Sequence, residues 1–196
     1  MLDIILPRCC VLCRDVGPGL CAACAAELPP APGIAVPPSM DDCWALLAYE
    51  STAARLVAEL KYRNHRDAFS CVGRAMSVFV RRSPVAVDAV TWAPTSAARR
   101  RRRGYDQAEV LAAAIARTSS PSAVRTLRRV RGSPQTGADR VHRMHGPAFE
   151  PTARLAGHVV VVDDVCTTGA TLSAAAAALR RAGAERITGL VLAATP

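Results

Sequence analysis

In VVVVDDVCTTGAT, Val159 to Thr171, four valines lead into two adjacent carboxylates, and small and hydroxylated residues come next. Four β-branched residues in a row read as a strand covered on both faces, as in a parallel sheet. Ligands of such sheets bind beyond the carboxyl ends of the strands, where Asp163 and Asp164 fall. Thr167, Thr168, Gly169, Ala170 and Thr171 then supply what a phosphate needs: close backbone approach, hydroxyl donors, and unpaired N–H groups at the positive end of a helix. Two carboxylates would repel that phosphate, so their expected partners are sugar hydroxyls or a Mg2+ ion. Phosphate, vicinal diol and metal together describe a sugar phosphate. The stretch is neither a P-loop nor a dinucleotide fingerprint, because G-x-x-x-x-G-K-[ST] and G-x-G-x-x-G are both absent. The alternative is an ordinary strand-turn-helix with threonine caps and solvent-facing acids.

A second constellation lies near the start. CVLC (Cys10, Cys13) and CAAC (Cys21, Cys24) are separated by seven residues. A two-residue gap lets two thiolates from one turn reach the same ion, and two such turns complete a closed four-cysteine structural zinc site. Binding Zn2+ would fold the segment rather than catalyse a reaction. A redox dithiol is the competing reading, and Cys9 could replace Cys10 as first ligand. Cys43, Cys71 and Cys166 have no partner spacing and read as small buried hydrophobes.

The opening MLDIILPRCC has no basic region before its short apolar stretch, so it does not read as a signal peptide. No run approaches the roughly 18 apolar residues of a membrane span. The expectation is a soluble cytoplasmic protein with reduced thiols. A length of 196 residues, 51% hydrophobic, suits one sizeable core plus a small appendage and excludes a disordered chain.

The net charge of +9 is concentrated between Arg99 and Arg143, where twelve arginines face three acids, Asp106, Glu109 and Asp139. Lys61 is the only lysine. A planar guanidinium pairs with phosphate in a bidentate way that an ammonium cannot. The run Arg99, Arg100, Arg101, Arg102, Arg103 with Tyr105 is open to several readings: a solvated surface, a cover for a ligand's phosphates, or a contact for single-stranded DNA with Tyr105 stacking on bases. His142 and His145 read as surface histidines.

These groups need a scaffold. Prolines between Pro29 and Pro38 exclude a helix or a central strand, leaving a stiff linker or an extended segment lying on the main domain. Trp44 to Val80 reads as helical, with a second helix over Ser70 to Arg81. Val85 to Trp92 reads as a short buried strand, Tyr105 to Thr118 as an amphipathic helix, AVRTLRRV as strand-like and PQTGADRVHRMHG as weakly helical. Strand Val159 to Asp163, helix Ala170 to Ala182 and a strand from Arg186 close the chain. Alternating strands and helices predict an α/β fold with a parallel sheet. The expected division is 1–28 metal module, 29–40 proline-rich linker and 41–196 main domain.

The stretch at Val159 to Thr171 resembles the phosphoribosyl-diphosphate (PRPP) motif of type I phosphoribosyltransferases. RRRRRGYDQAEVLA, the cysteine pairs, YRNHRD, WAPTSAARRRRRGYDQAEVLA and SPQTGADRVHR resemble the competence protein F (ComF) family, with the pieces in the family's order along the chain. The resemblance implies a type I phosphoribosyltransferase-like fold and PRPP binding with Mg2+. Asp163 and Asp164 would meet the ribose hydroxyls, and Thr167, Thr168, Gly169, Ala170 and Thr171 would hold the 5′-phosphate. Ala93, Pro94, Thr95 and Ser96 would form the diphosphate loop, and Arg99 to Gly104 would match the mobile loop, with Arg102 and Arg103 acting catalytically beside the twin acids. It also implies a role in DNA uptake with single-stranded DNA and a helicase-like partner. Phosphoribosyl transfer to an unidentified acceptor and PRPP sensing are the alternatives.

Overall fold

The structure is a computed structural model that describes residues 8–62, 65–130 and 147–195. Its centre is a parallel four-stranded sheet in the order β1-β6-β5-β2, formed by β1 (Asp42–Ala48), β2 (Ala89–Trp92), β5 (His158–Cys166) and β6 (Arg186–Ala194). The predicted parallel α/β fold is the one observed.

β5 and β6 are central because both their faces are apolar. Alternation sends Val160, Val162, Leu190 and Leu192 to one face and Val159, Val161, Ile187 and Val191 to the other. The first face is covered by α2 (Ser51–Tyr62), α3 (Arg66–Arg81) and α5 (Gln107–Ala116), through Leu56, Leu60, Phe69, Met76 and Leu111. The second is covered by α6 (Ala170–Ala182), through Leu172, Ala175 and Leu179. The antiparallel hairpin β3 (Leu127–Val130) with β4 (Ala148–Pro151) adds Leu127 and Phe149 to this side. Each fully buried valine contributes roughly 1.5–3 kcal/mol. Val159 to Val162 are all completely buried, so the strand, and not the loop after it, fixes the position of Asp163 and Asp164.

Two expectations for the first half need correction. Residues 44–48, read as the start of a helical region, belong to β1 instead. Its Ala- and Leu-rich sequence has helical propensity, but pairing with β6 from Asp42–Thr188 to Ala48–Ala194 overrides it. The second helix begins at Arg66 rather than Ser70, with His65 before its first turn. The segment 134–146, read as weakly helical, lies outside the described residues, as do His142 and His145.

The proline-rich segment is extended and lies on the sheet. Ala48 N–H donates to the Pro29 carbonyl (3.0 Å) and Ala31 N–H to that of Leu46 (3.2 Å), running Pro29–Ala31 antiparallel along β1. Prolines are tolerated there because an edge partner has one side of its backbone free. The cysteine-bearing segment, with its short helix α1 (Ala22–Ala26), also packs on the main body, with Cys10, Val11 and Leu12 inside the core that α2 and α3 share. Gly19 meets α3 so closely that a Cβ would lie 2.4 Å from the Ala68 nitrogen. Among the described residues no helix is long and apolar enough to cross a membrane.

Gly73, in the middle of α3, lets α5 approach: a Cβ there would sit 2.4 Å from the Ala114 Cβ. Alanine has the higher helix propensity by about 1 kcal/mol, yet Gly73→Ala should lower stability by about 1–3 kcal/mol through overpacking. Denaturant unfolding checks the sign.

Candidate functional site

The polar end of β5 is where the covers of the sheet run out. The strand continues through both acids to Cys166, further than the predicted end at Asp163. Alternation turns Asp164 towards the α2 face, where Lys61 Nζ stands 3.2 Å from its Oδ2. Asp163 Oδ1 accepts the backbone N–H of Asp164 at 2.8 Å. Burial first, and then the charge of Asp164, hold the Asp163 carboxyl well above the usual carboxylate range.

The chain then turns into α6 through Thr167, Thr168 and Gly169. Gly169 has φ 71°, a left-handed conformation, and a Cβ there would meet the Pro37 ring at 3.0 Å. No side chain caps α6 at Gly169, and Thr168 Oγ1 accepts only a long contact from Ala170 N–H (3.4 Å). The first turn of this 13-residue helix therefore offers N–H groups and a dipole end to an anion. Residues from Asp163 to Leu172, including Thr167, Thr168, Gly169, Ala170 and Thr171, border a hollow of ≈ 30 Å³ there.

Beside it opens a larger cleft of ≈ 250 Å³. Asp163, Asp164, Thr167 and Thr171 form its floor, and the turn after β2 brings Ala93, Pro94 and Thr95. The Ala93 N–H donates to the Val162 carbonyl (3.0 Å), which holds that turn against β5. Four cations, Lys61, Arg99, Arg103 and Arg129, face three acids, Asp106, Asp163 and Asp164. The cleft thus favours an anion that can also offer hydroxyls or a metal to carboxylates.

The arginine run differs from its expected form. Residues 99–104, expected as a mobile loop, fall in the helix α4 (Ala97–Arg103) and its closing Gly104. Ser96 caps its start, accepting Arg99 N–H at 3.3 Å, and Gly104 closes it at φ 81°. Four arginines in the last turn suit the negative end of the helix. Helical spacing then divides the run. Arg99 and Arg103, four apart, line the cleft, whereas Arg100 pairs with Glu109 (3.4 Å), and Arg101 and Arg102 are exposed outside the cleft lining. Arg102, expected to act with Arg103, is not brought to the acids; Ser96 serves the helix rather than the cleft.

Tyr105 is a fastening rather than an open stacking face. Its hydroxyl donates to the Leu60 carbonyl (2.6 Å), and its ring lies edge-on to Phe69 at 5.9 Å and 86°. Tyr62, 65% exposed, carries the Arg103 guanidinium 5.5 Å from its ring centre.

Lys61, Asp106, Gln107 and Arg129 were not among the expected site residues. Asp106, 3% exposed, accepts Thr95 N–H at 2.8 Å and Ala108 N–H at 3.2 Å, joining the turn after β2 to the start of α5. Burial pushes its carboxyl above the usual value. The D-x-x-E spacing of Asp106 and Glu109 signals a helix cap, but its reach to Thr95 is a tertiary fact. Gln107 accepts from Arg103 Nη1 (2.6 Å) and donates to the Lys61 carbonyl (3.1 Å).

The four expected thiols converge. The Sγ atoms of Cys10, Cys13, Cys21 and Cys24 all lie within 4.8 Å of one another, with Cys13 and Cys21 at 3.8 Å. A Zn–S bond of about 2.3 Å implies sulfur–sulfur edges of about 3.8 Å in a tetrahedron, so the set fits one metal ion such as zinc. Cys10, not Cys9, completes it. Burial would raise the Cys10 thiol, but the Cys21, Cys13 and Leu12 backbone amides outweigh it and bring it to about 6. Hydrogen bonding with Cys21, then burial, pushes Cys24 up to about 12. Cys43 and Cys166 are buried as expected, while Cys71 is half-buried and accepts from Arg74 at 3.4 Å.

Both clusters give measurable outcomes. Purified protein should carry about one zinc per chain, Cys13→Ser should lose it, and thermal unfolding of the whole chain should drop because Cys10 to Leu12 lie in the shared core. For Asp163, an acid whose pKa rises on folding favours the folded state only while protonated. That contribution is lost as pH climbs from about 3.9, the ordinary aspartate value, through the raised one. Stability of the wild type relative to Asp163→Asn should therefore decline over that window, as measured by denaturant midpoints.

Comparison with known proteins places this geometry. The family model described as phosphoribosyl transferase domain matches residues 94–196, from the turn after β2 to the end of the chain. No curated protein matches. A solved structure, that of the allosteric regulatory enzyme of purine biosynthesis, is similar at 20% identity with a TM-score of 0.46, over 69% of this chain. The chain spans 30% of the length of that structure. With more than half its residues matched by the family model, the chain belongs to the phosphoribosyl transferase domain family.

Proposed function

We propose that the cleft binds PRPP together with Mg2+, and that the chain is a ComF-like member of its family. One observation carries the reading: twin carboxylates stand in the last residues of a buried parallel strand, beside a helix start that no side chain caps and under a cluster of cations. Asp163 and Asp164 accept the ribose hydroxyls, and Thr167 to Thr171 hold the 5′-phosphate. Pro94 and Thr95, with Ser96 behind them, form the diphosphate loop. Two close carboxylates with one lysine as their direct ion-pair partner among the described residues fit a hard, oxygen-seeking cation. Mg2+ bound there would neutralise charge on the diphosphate.

In catalysis the bond between C1 and the diphosphate oxygen breaks, the diphosphate leaves with the electron pair, and a nucleophilic acceptor forms the new bond to C1. Arg99 and Arg103 stand where they stabilise the charge that develops on the leaving group. The proposed organisation is a structural zinc module over 1–28, a proline-rich connection over 29–40 and the phosphoribosyl transferase domain over 41–196.

A role in DNA uptake, with single-stranded DNA and a helicase-like partner, is a second reading. It is supported by the ComF resemblance and by Arg101 and Arg102, exposed on α4 away from the cleft lining.

Calorimetric titration with PRPP and Mg2+ tests the first reading: Asp163→Ala and Asp164→Ala should each weaken binding at least about tenfold, and unchanged binding removes it. Release of diphosphate in the presence of acceptors separates enzyme from binder. For the second reading, affinity for single-stranded DNA should fall steeply with salt. Arg101→Ala with Arg102→Ala should reduce the slope by about 1.4, for two lost phosphate contacts.

A further inference from the structure

We infer that Lys61 is the cleft's diphosphate-binding lysine, held on Asp164 in this structure and transferred to the diphosphate when PRPP enters. This inference rests on the PRPP reading above. Lys61 lies outside the stretch that the family model matches, on the last turn of α2. It is the only lysine in a chain whose other cleft cations are arginines.

The geometry divides its backbone from its side chain. The end of α2 is fixed to the start of α5, by Tyr105 Oη on the Leu60 carbonyl (2.6 Å) and Gln107 Nε2 on the Lys61 carbonyl (3.1 Å). The side chain, 22% exposed, reaches from this anchor into the cleft to Asp164 Oδ2 at 3.2 Å. A four-carbon stem carrying a compact charge can change partner without moving the helix, whereas a guanidinium fork is tied to one planar geometry.

Exchange arises from the chemistry of the floor. Ribose hydroxyls and a metal both need carboxylate oxygens, and Asp164 already offers one of these to Lys61. As those oxygens are taken, the ammonium loses its partner in a partly buried place, where an unpaired charge is costly. The diphosphate end is its destination because of what shares its space. Lys61 lines the larger cleft with Thr95, Arg99 and Arg103, and it does not border the hollow at the α6 start.

Three ligands test this on the full chain: PRPP with Mg2+, inorganic diphosphate with Mg2+, and ribose 5-phosphate. Lys61→Gln should weaken PRPP and diphosphate at least about tenfold, as loss of a partly desolvated charge pair does, and leave ribose 5-phosphate within about twofold. Lys61→Arg should recover part of the loss. Unchanged PRPP affinity in Lys61→Gln overturns the inference. So does an equal loss for ribose 5-phosphate, which would mean that Lys61 only holds Asp164 in place. Failure of wild-type protein to bind PRPP sinks the parent reading instead. Should Lys61→Gln fold poorly, reductive methylation of wild-type protein with a carbon-13 label gives a single lysine signal. It should shift with diphosphate and Mg2+ and stay in place with ribose 5-phosphate; the reverse pattern also overturns the inference.

Discussion

A strand that is apolar on both faces must be covered on both, and only its ends can carry chemistry. Val159 to Val162 impose that condition. They oblige α2, α3 and α5 to pack on one side and α6 with the β3–β4 hairpin on the other, so that each cover brings a side chain to the place where β5 turns polar. Lys61 arrives from one side and Arg129 from the other, and the turn after β2 is held by a backbone hydrogen bond to Val162 itself. The cleft is therefore a by-product of covering one strand.

Its electrostatics are largely self-neutralised. Lys61 occupies Asp164, and Asp106 occupies the Thr95 amide. These internal pairings keep three acids and four cations tolerable in a partly buried space, and under the PRPP reading an entering sugar phosphate would exchange partners that already exist. Burial, and after it the neighbouring charge of Asp164, leaves Asp163 with a raised carboxyl in that arrangement.

Much of this could be read from the chain alone, for identifiable reasons. The helix over Ala170 to Ala182 and the strand from Arg186 appear where periodicity puts them, because burial and pattern agree. The four thiols converge because their spacing is itself a coordination geometry. β1 was hidden because Ala and Leu are helix formers whose strand conformation here comes from pairing with β6. α4 was hidden because five charged residues in a row have no apolar stripe, and a cap at Ser96 with a stop at Gly104 decides the matter. The cleft residues missed were those that arrive by packing: Lys61 and Arg129 stand far from the acids in sequence.

The strap formed by Pro29–Ala31 also limits the company this sheet can keep. It lies on the outer side of β1, while at the opposite margin Ser122 and Val124 exchange backbone hydrogen bonds with Val90 of β2. Neither outer strand is left fully bare, and on the β1 side the added strip contributes proline, which has no N–H to donate. Growth of the sheet by recruiting a further chain is thereby discouraged at both flanks.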